Sequence, residues 1–82
     1  MNDKLLSVVI GNIGKLGVST SKVNCDSTFE SLSIDSLDHV ELIMSVEAET
    51  GIVLTDEEAN SATSVGGLVN LLDKYKTRNF FS

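Results

Sequence analysis

Eighty-two residues allow one small domain, with a modest core and little room for a deep, water-excluding catalytic pocket. Twelve acidic against six basic residues leave a net charge of −6, which argues against nucleic-acid binding, because phosphate contacts need Lys and Arg. The charge is also segregated: no Lys or Arg stands between Lys22 and Lys74, an interval that holds every acid except Asp3.

A first helix is expected from about Asp3 to Leu16. Leu5, Leu6, Val9, Ile13 and Leu16 recur at helical spacing on one face. Asn2 or Asp3 can cap its start, and Gly17 is a natural stop. The apolar run at residues 5–10 is too short to span a membrane or to form a signal-peptide core, so a cytoplasmic protein is expected. A long polar connection follows, from Val18 to Ile34, with Val23, Phe29, Leu32 and Ile34 as anchors to the core. It contains the single cysteine, Cys25, which by itself can form neither an internal disulfide nor a Cys-based metal site. No metal site is expected.

The second helix is placed at Ser36–Thr50, with Asp35 as N-cap and Gly51 at its end. Ile52, Val53 and Leu54 form a short apolar crossing. A short third helix covers Asp56 to Ser61. It is opened by a capping box in which Thr55 and Glu58 each satisfy the other's free backbone N–H. The fourth helix runs from Ser64 or Val65 to about Lys76, turning Val65, Leu68, Val69, Leu71, Leu72 and Tyr75 inward. Gly66 and Gly67 are expected to soften its start. The expected organisation is one domain over residues 1–76, a four-helix all-α bundle with a short third helix and a long loop between helices one and two. A frayed tail over 77–82 would carry Phe80 and Phe81.

The second helix has two apolar faces. At about 100° per residue, Leu42, Ile43 and Val46 fall on one side, with His39 and Thr50 at its edges. Leu37, Val40, Met44 and Ala48 fall opposite, with Glu41 among them, while Asp38, Ser45, Glu49 and Glu47 form the borders. One face must meet the other helices. A domain this small cannot easily wrap the second face as well, and burying its acidic borders unpaired would be costly. Leu37, Val40 and Met44 are therefore read as an exposed apolar strip flanked by Asp38, Glu41 and Glu47, suited to a basic-rimmed hollow on a partner.

Ser36 opens this helix. Asp and Ser are common helix caps, so Asp35-Ser36 alone carries little functional information. The position nevertheless suits a phosphodiester, which would meet free backbone N–H groups and the positive end of the helix dipole. A catalytic serine is disfavoured. It would need a base, and the only histidine, His39, turns inward on the wheel. No segment offers the ligand pattern of an EF-hand calcium loop.

The run Asp35-Ser36-Leu37-Asp38-His39-Val40-Glu41-Leu42-Ile43-Met44 resembles the attachment motif of acyl carrier proteins, Asp-Ser-Leu-Asp-x-Val-Glu-Leu. The similarity extends to Phe29-x-x-Leu32 upstream, and downstream through Thr55-Asp56-Glu57-Glu58-Ala59 and Thr63-Ser64-Val65, covering about residues 3 to 76. The resemblance implies a 4'-phosphopantetheine arm, moved by a phosphopantetheinyl transferase from coenzyme A onto Ser36, whose terminal thiol bears an acyl group as a thioester. It implies that Asp35 helps the transferase and its metal ion engage the serine. It assigns Leu37, Asp38, Val40, Glu41, Met44 and Glu47 to partner docking. The partners are then acyl-transfer and chain-elongation enzymes with basic docking surfaces, and the carrier itself is a monomer without catalysis of its own. The family shelters acyl chains between helices, which makes Phe29, Leu42, Ile43, Val46, Leu54, Ala59, Ala62, Leu68 and Leu71 candidate lining residues. The same residues also read as plain core.

The chain departs from the family pattern in places. Ser33 stands where the family usually has Gly, Thr55 replaces a frequent Pro, and Gly66-Gly67 loosens the fourth helix. These departures leave the cargo open among fatty acyl, polyketide and other acyl groups. The alternative function is an interaction adaptor that keeps the fold and is never modified.

Overall fold

The computed structural model describes residues 2–78, and the expected tail residues Phe80 and Phe81 lie outside the described residues. Four helices follow in chain order: α1 (Asp3–Lys15), α2 (Ser36–Thr50), α3 (Asp56–Ser61) and α4 (Val65–Arg78). The expected helical bundle with a short third helix is the one observed. None of these helices is long and apolar enough to cross a membrane among the described residues.

Side-chain chemistry sets most of the helix ends. The Asn2 side chain accepts the Leu5 N–H at 3.1 Å to open α1. The helix stops at Lys15, because Gly17 takes a left-handed conformation with φ of 89°. Gly51, with φ of 75°, ends α2 in the same way and returns its N–H to the Glu47 carbonyl at 2.8 Å. The Thr55–Glu58 capping box is fully formed at α3. At its far end α4 runs to Arg78, two residues beyond the expected Lys76. No Gly or Pro interrupts that stretch.

The core is continuous. Leu5, Val9 and Ile13 of α1 meet Leu42 and Val46 of α2 and Leu68, Val69 and Leu72 of α4, all buried. α1 packs against both α2 and α4. Among the described residues one polar side chain enters this core: Asn12 is buried, and its Nδ2 donates to the Val8 carbonyl at 2.8 Å and to Glu49 Oε1 at 3.0 Å. Periodicity gave no warning of it, because Asn12 lies beside the apolar stripe of α1 and finds its partner on α2.

The start of α4 is firmer than its two glycines imply. The long loop lies across it, so that the Val65 N–H donates to the Ser27 carbonyl at 2.9 Å and the Gly66 N–H to the Cys25 carbonyl at 2.8 Å. Ser64 Oγ accepts the Gly67 N–H at 3.0 Å. The donors that every helix leaves free in its first turn are thereby satisfied. A Thr28–Ser64 bridge and the Phe29 N–H on the Thr63 carbonyl, at 3.0 Å, complete the attachment.

The last part of that loop sets up α2. Residues 28–33 form one helical turn, closed by the Ile34 N–H on the Phe29 carbonyl and the Ser33 N–H on the Glu30 carbonyl, both at 3.0 Å. This is the Schellman pattern, with Ser33 in the left-handed position at φ of 60° and with Phe29 and Ile34 buried on either side. The departure from Gly at this position therefore carries a conformational cost, since a side chain in left-handed backbone crowds its own carbonyl. Ser33→Gly is expected to raise stability by about 1 kcal/mol. The check is urea unfolding followed by circular dichroism, in which the midpoint should rise with an unchanged slope.

Candidate functional site

Ser36 is the first helical residue of α2, and its side chain is exposed. Three local features hold it there. Ile34 is buried and fixes the chain two residues earlier. Asp35 is extended and caps the helix, its Oδ1 accepting the Asp38 N–H at 2.8 Å. The Asp35 carbonyl accepts the His39 N–H at 2.9 Å and so closes the first turn. Among the described residues, no protein acceptor meets the N–H groups of Ser36 and Leu37. An anion on Ser36 Oγ would therefore find two free backbone donors and the positive end of a helix. The residues present fit a phosphodiester at this hydroxyl.

His39 is half-buried and is engaged elsewhere. Its Nε2 lies 3.3 Å from the Ala62 carbonyl, and its ring tilts against Phe29 at a centroid distance of 5.1 Å. It ties α2 to the turn between α3 and α4 rather than facing Ser36 as a base.

The outer face of α2 is open. Leu37 is 70% exposed, Val40 52% and Met44 63%. Glu41 is exposed among them, and Asp38 is half-buried at the border. No cation is paired with Asp35, Asp38 or Glu41 among the described residues, so their field reaches solvent uncancelled. Val53, in the segment between α2 and α3, is also exposed, at 77%. The apolar crossing expected over Ile52, Val53 and Leu54 does not by itself say which of the three turns outward. The missed signal was alternation: the extended run buries Ile52 and Leu54 and turns Val53 outward.

Glu47, which is expected on the docking rim, is engaged within the chain. It is half-buried, and its Oε2 accepts the Leu54 N–H at 2.7 Å. Its carboxylate bonds within the chain, joining the end of α2 to the segment that leads into α3.

A cleft of about 410 Å³ opens between α2 and α3. His39, Val40, Ile43, Met44 and Glu47 form one wall, and Leu54, Asp56, Ala59 and Asn60 form the other. Of the expected acyl-lining residues, the structure brings Ile43, Leu54 and Ala59 to this cleft. Ile43 and Leu54 also belong to the buried core, as do Phe29, Leu42, Val46, Ala62 and Leu68, which do not border the cleft; Leu71 packs against that core partly covered. Ser36 stands on the same helical face as the α2 wall, one turn before His39 and Val40.

The family model described as a phosphopantetheine attachment site matches residues 13–72. The chain is 44% identical over 59 residues to the acyl carrier protein of Clostridium acetobutylicum, covering 71% of this chain and 77% of that protein. It is 45% identical over 62 residues to the acyl carrier protein of Buchnera aphidicola subsp. Baizongia pistaciae, covering 74% of this chain and 80% of that one.

The cap at Asp35 has a measurable share in holding Ser36 in place. Asp35→Ala should destabilise the protein by about 1 kcal/mol, and Asp35→Asn, which keeps an acceptor, by no more than a few tenths. Urea unfolding of the three proteins tests the pair; equal stability throughout would mean that the cap contributes nothing.

Proposed function

The chain belongs to the acyl carrier protein family, and on that premise we propose that Ser36 is the residue that bears its 4'-phosphopantetheine arm. The observation that carries the reading is the exposed Ser36 hydroxyl at the start of α2, on the helical face that leads into the α2–α3 cleft. When bound, the arm supplies a terminal thiol that carries an acyl group as a thioester. The chain's own residues do the rest. Ser36 Oγ provides the nucleophilic oxygen for attachment. The only histidine is engaged with Ala62 and Phe29, so the base that takes the serine proton is supplied by the phosphopantetheinyl transferase. Asp35 holds the first turn of α2 while leaving its second carboxylate oxygen, Oδ2, available toward the transferase and its metal ion.

Leu37, Val40 and Met44 form the apolar centre of a docking surface, with Asp38 and Glu41 as its anionic border. A partner with a basic rim would be drawn in by long-range attraction and held by apolar contact. The cleft beyond Ser36 is the shelter for the cargo, with Ile43, Leu54 and Ala59 as its apolar lining. Its volume lies at the lower end of the range of small-molecule sites. The cargo is a fatty acyl or polyketide-type chain, and the protein is a carrier for the enzymes that build it.

Co-expression with a promiscuous phosphopantetheinyl transferase should add the mass of one arm to the wild type and none to Ser36→Ala. Intact-protein mass spectrometry reads the outcome, and an unmodified wild type would favour the unmodified-adaptor reading instead. Glu41→Lys should slow arm attachment by about tenfold at low ionic strength, with the gap to wild type closing as salt is added. Transferase kinetics across a salt series tests this; a difference independent of salt would contradict electrostatic docking.

A further inference from the structure

The α2–α3 cleft is apolar along its middle, and His39, Asp56 and Asn60 add polar groups to its lining. Val40, Ile43 and Met44 face Leu54 and Ala59 across it, and Glu47 stands at the end farthest from Ser36 along α2. From His39 to Glu47 the helix rises about 12 Å. A straight chain that enters from the Ser36 end and follows α2 therefore passes His39, then the apolar side chains of Val40, Ile43 and Met44, and meets the Glu47 carboxylate last.

That carboxylate is not free to swing aside. Its Oε2 accepts the Leu54 N–H at 2.7 Å, and Leu54 is buried. Moving Glu47 away would leave a covered backbone donor unsatisfied. Leaving it in place while an apolar terminus presses against it would strip water from the carboxylate without offering a hydrogen bond in return. Both routes penalise a chain that reaches the end of the cleft, and neither penalises a shorter one.

We infer that Glu47 is a specificity-determining residue that limits the length of acyl chain this protein shelters, by closing the distal end of the α2–α3 cleft through its bond to Leu54. This rests on the reading that cargo on Ser36 enters that cleft. The hydrogen bond makes Glu47 a fixed stop, and the apolar stretch between it and Ser36 sets the length that fits.

The test uses the full chain with its arm attached, loaded with a homologous series of straight saturated acyl groups. For each protein, the melting temperature of the acylated form is compared with that of its own unacylated form, so a general loss of stability cancels. In wild type this gain should grow with chain length and then stop growing. In Glu47→Leu the limit should move to longer chains, and thioester hydrolysis at the first excluded length should slow by about fourfold for each methylene that gains cover. Glu47→Gln, which keeps an acceptor for Leu54, should stay close to wild type. An unchanged limit in Glu47→Leu would overturn the inference.

A second measurement needs no variant. The Leu54 amide resonance of wild type should stay constant through the short chains and shift once the chain reaches Glu47. A resonance that moves equally with every chain, or with none, would overturn the inference even if Glu47→Leu did not fold. Failure of the underlying reading looks different: no arm would be found on Ser36 by mass, or no acyl group of any length would alter the melting temperature.

Discussion

The structure turns on how the chain enters α2. A single turn over residues 28–33 ends in left-handed backbone at Ser33, Ile34 is buried, and the Asp35 carboxylate caps the Asp38 N–H. These steps occupy consecutive residues, and together they leave Ser36 outside the core with free backbone donors beside it. A shift of one residue would rotate the helix by about 100° and turn the hydroxyl away from the face that continues into the cleft.

The same entry fixes what the two faces of α2 do. With Leu42, Ile43 and Val46 committed to the core, Leu37, Val40 and Met44 must face solvent. Exposed apolar groups of this size are retained at a cost in solubility, and the uncancelled acids around them limit that cost by keeping copies of the chain apart. The long loop supports the arrangement from behind. It carries Phe29 into the core, satisfies the first donors of α4, and delivers Ile34 to the start of α2. Its length, which gave little secondary structure to predict, serves to connect three elements at once.

Much of this was legible in the residues. The limits of α2 and α3 followed from Asp35, Gly51, Thr55 and Glu58, because caps act locally and their chemistry is visible over a few positions. The two faces of α2 followed from helical periodicity alone. What escaped the sequence depended on contacts across the chain. Asn12 finds Glu49 on another helix, and Glu47 finds Leu54 beyond the end of its own. The glycine pair in α4 is held by loop carbonyls that no local pattern reveals. Which of the expected lining residues border the cleft was not legible for a related reason. Inward-facing residues share one pattern whether they only fill the core or also border a cleft, and only the packing brings Ile43 and Leu54, themselves buried, and Ala59 to the cleft while Leu42, Val46 and Leu68 stay away from it.

The most direct test of this account is the backbone amide spectrum of the uniformly nitrogen-15-labelled protein before and after the arm is attached. If the phosphodiester sits on Ser36 at the open end of α2, the Ser36 and Leu37 amides should shift strongly downfield as they meet the new anion, while the amides of Val9, Leu68 and Leu72 in the core stay in place. Unchanged resonances at Ser36 and Leu37 in a protein shown by mass to carry the arm would contradict it.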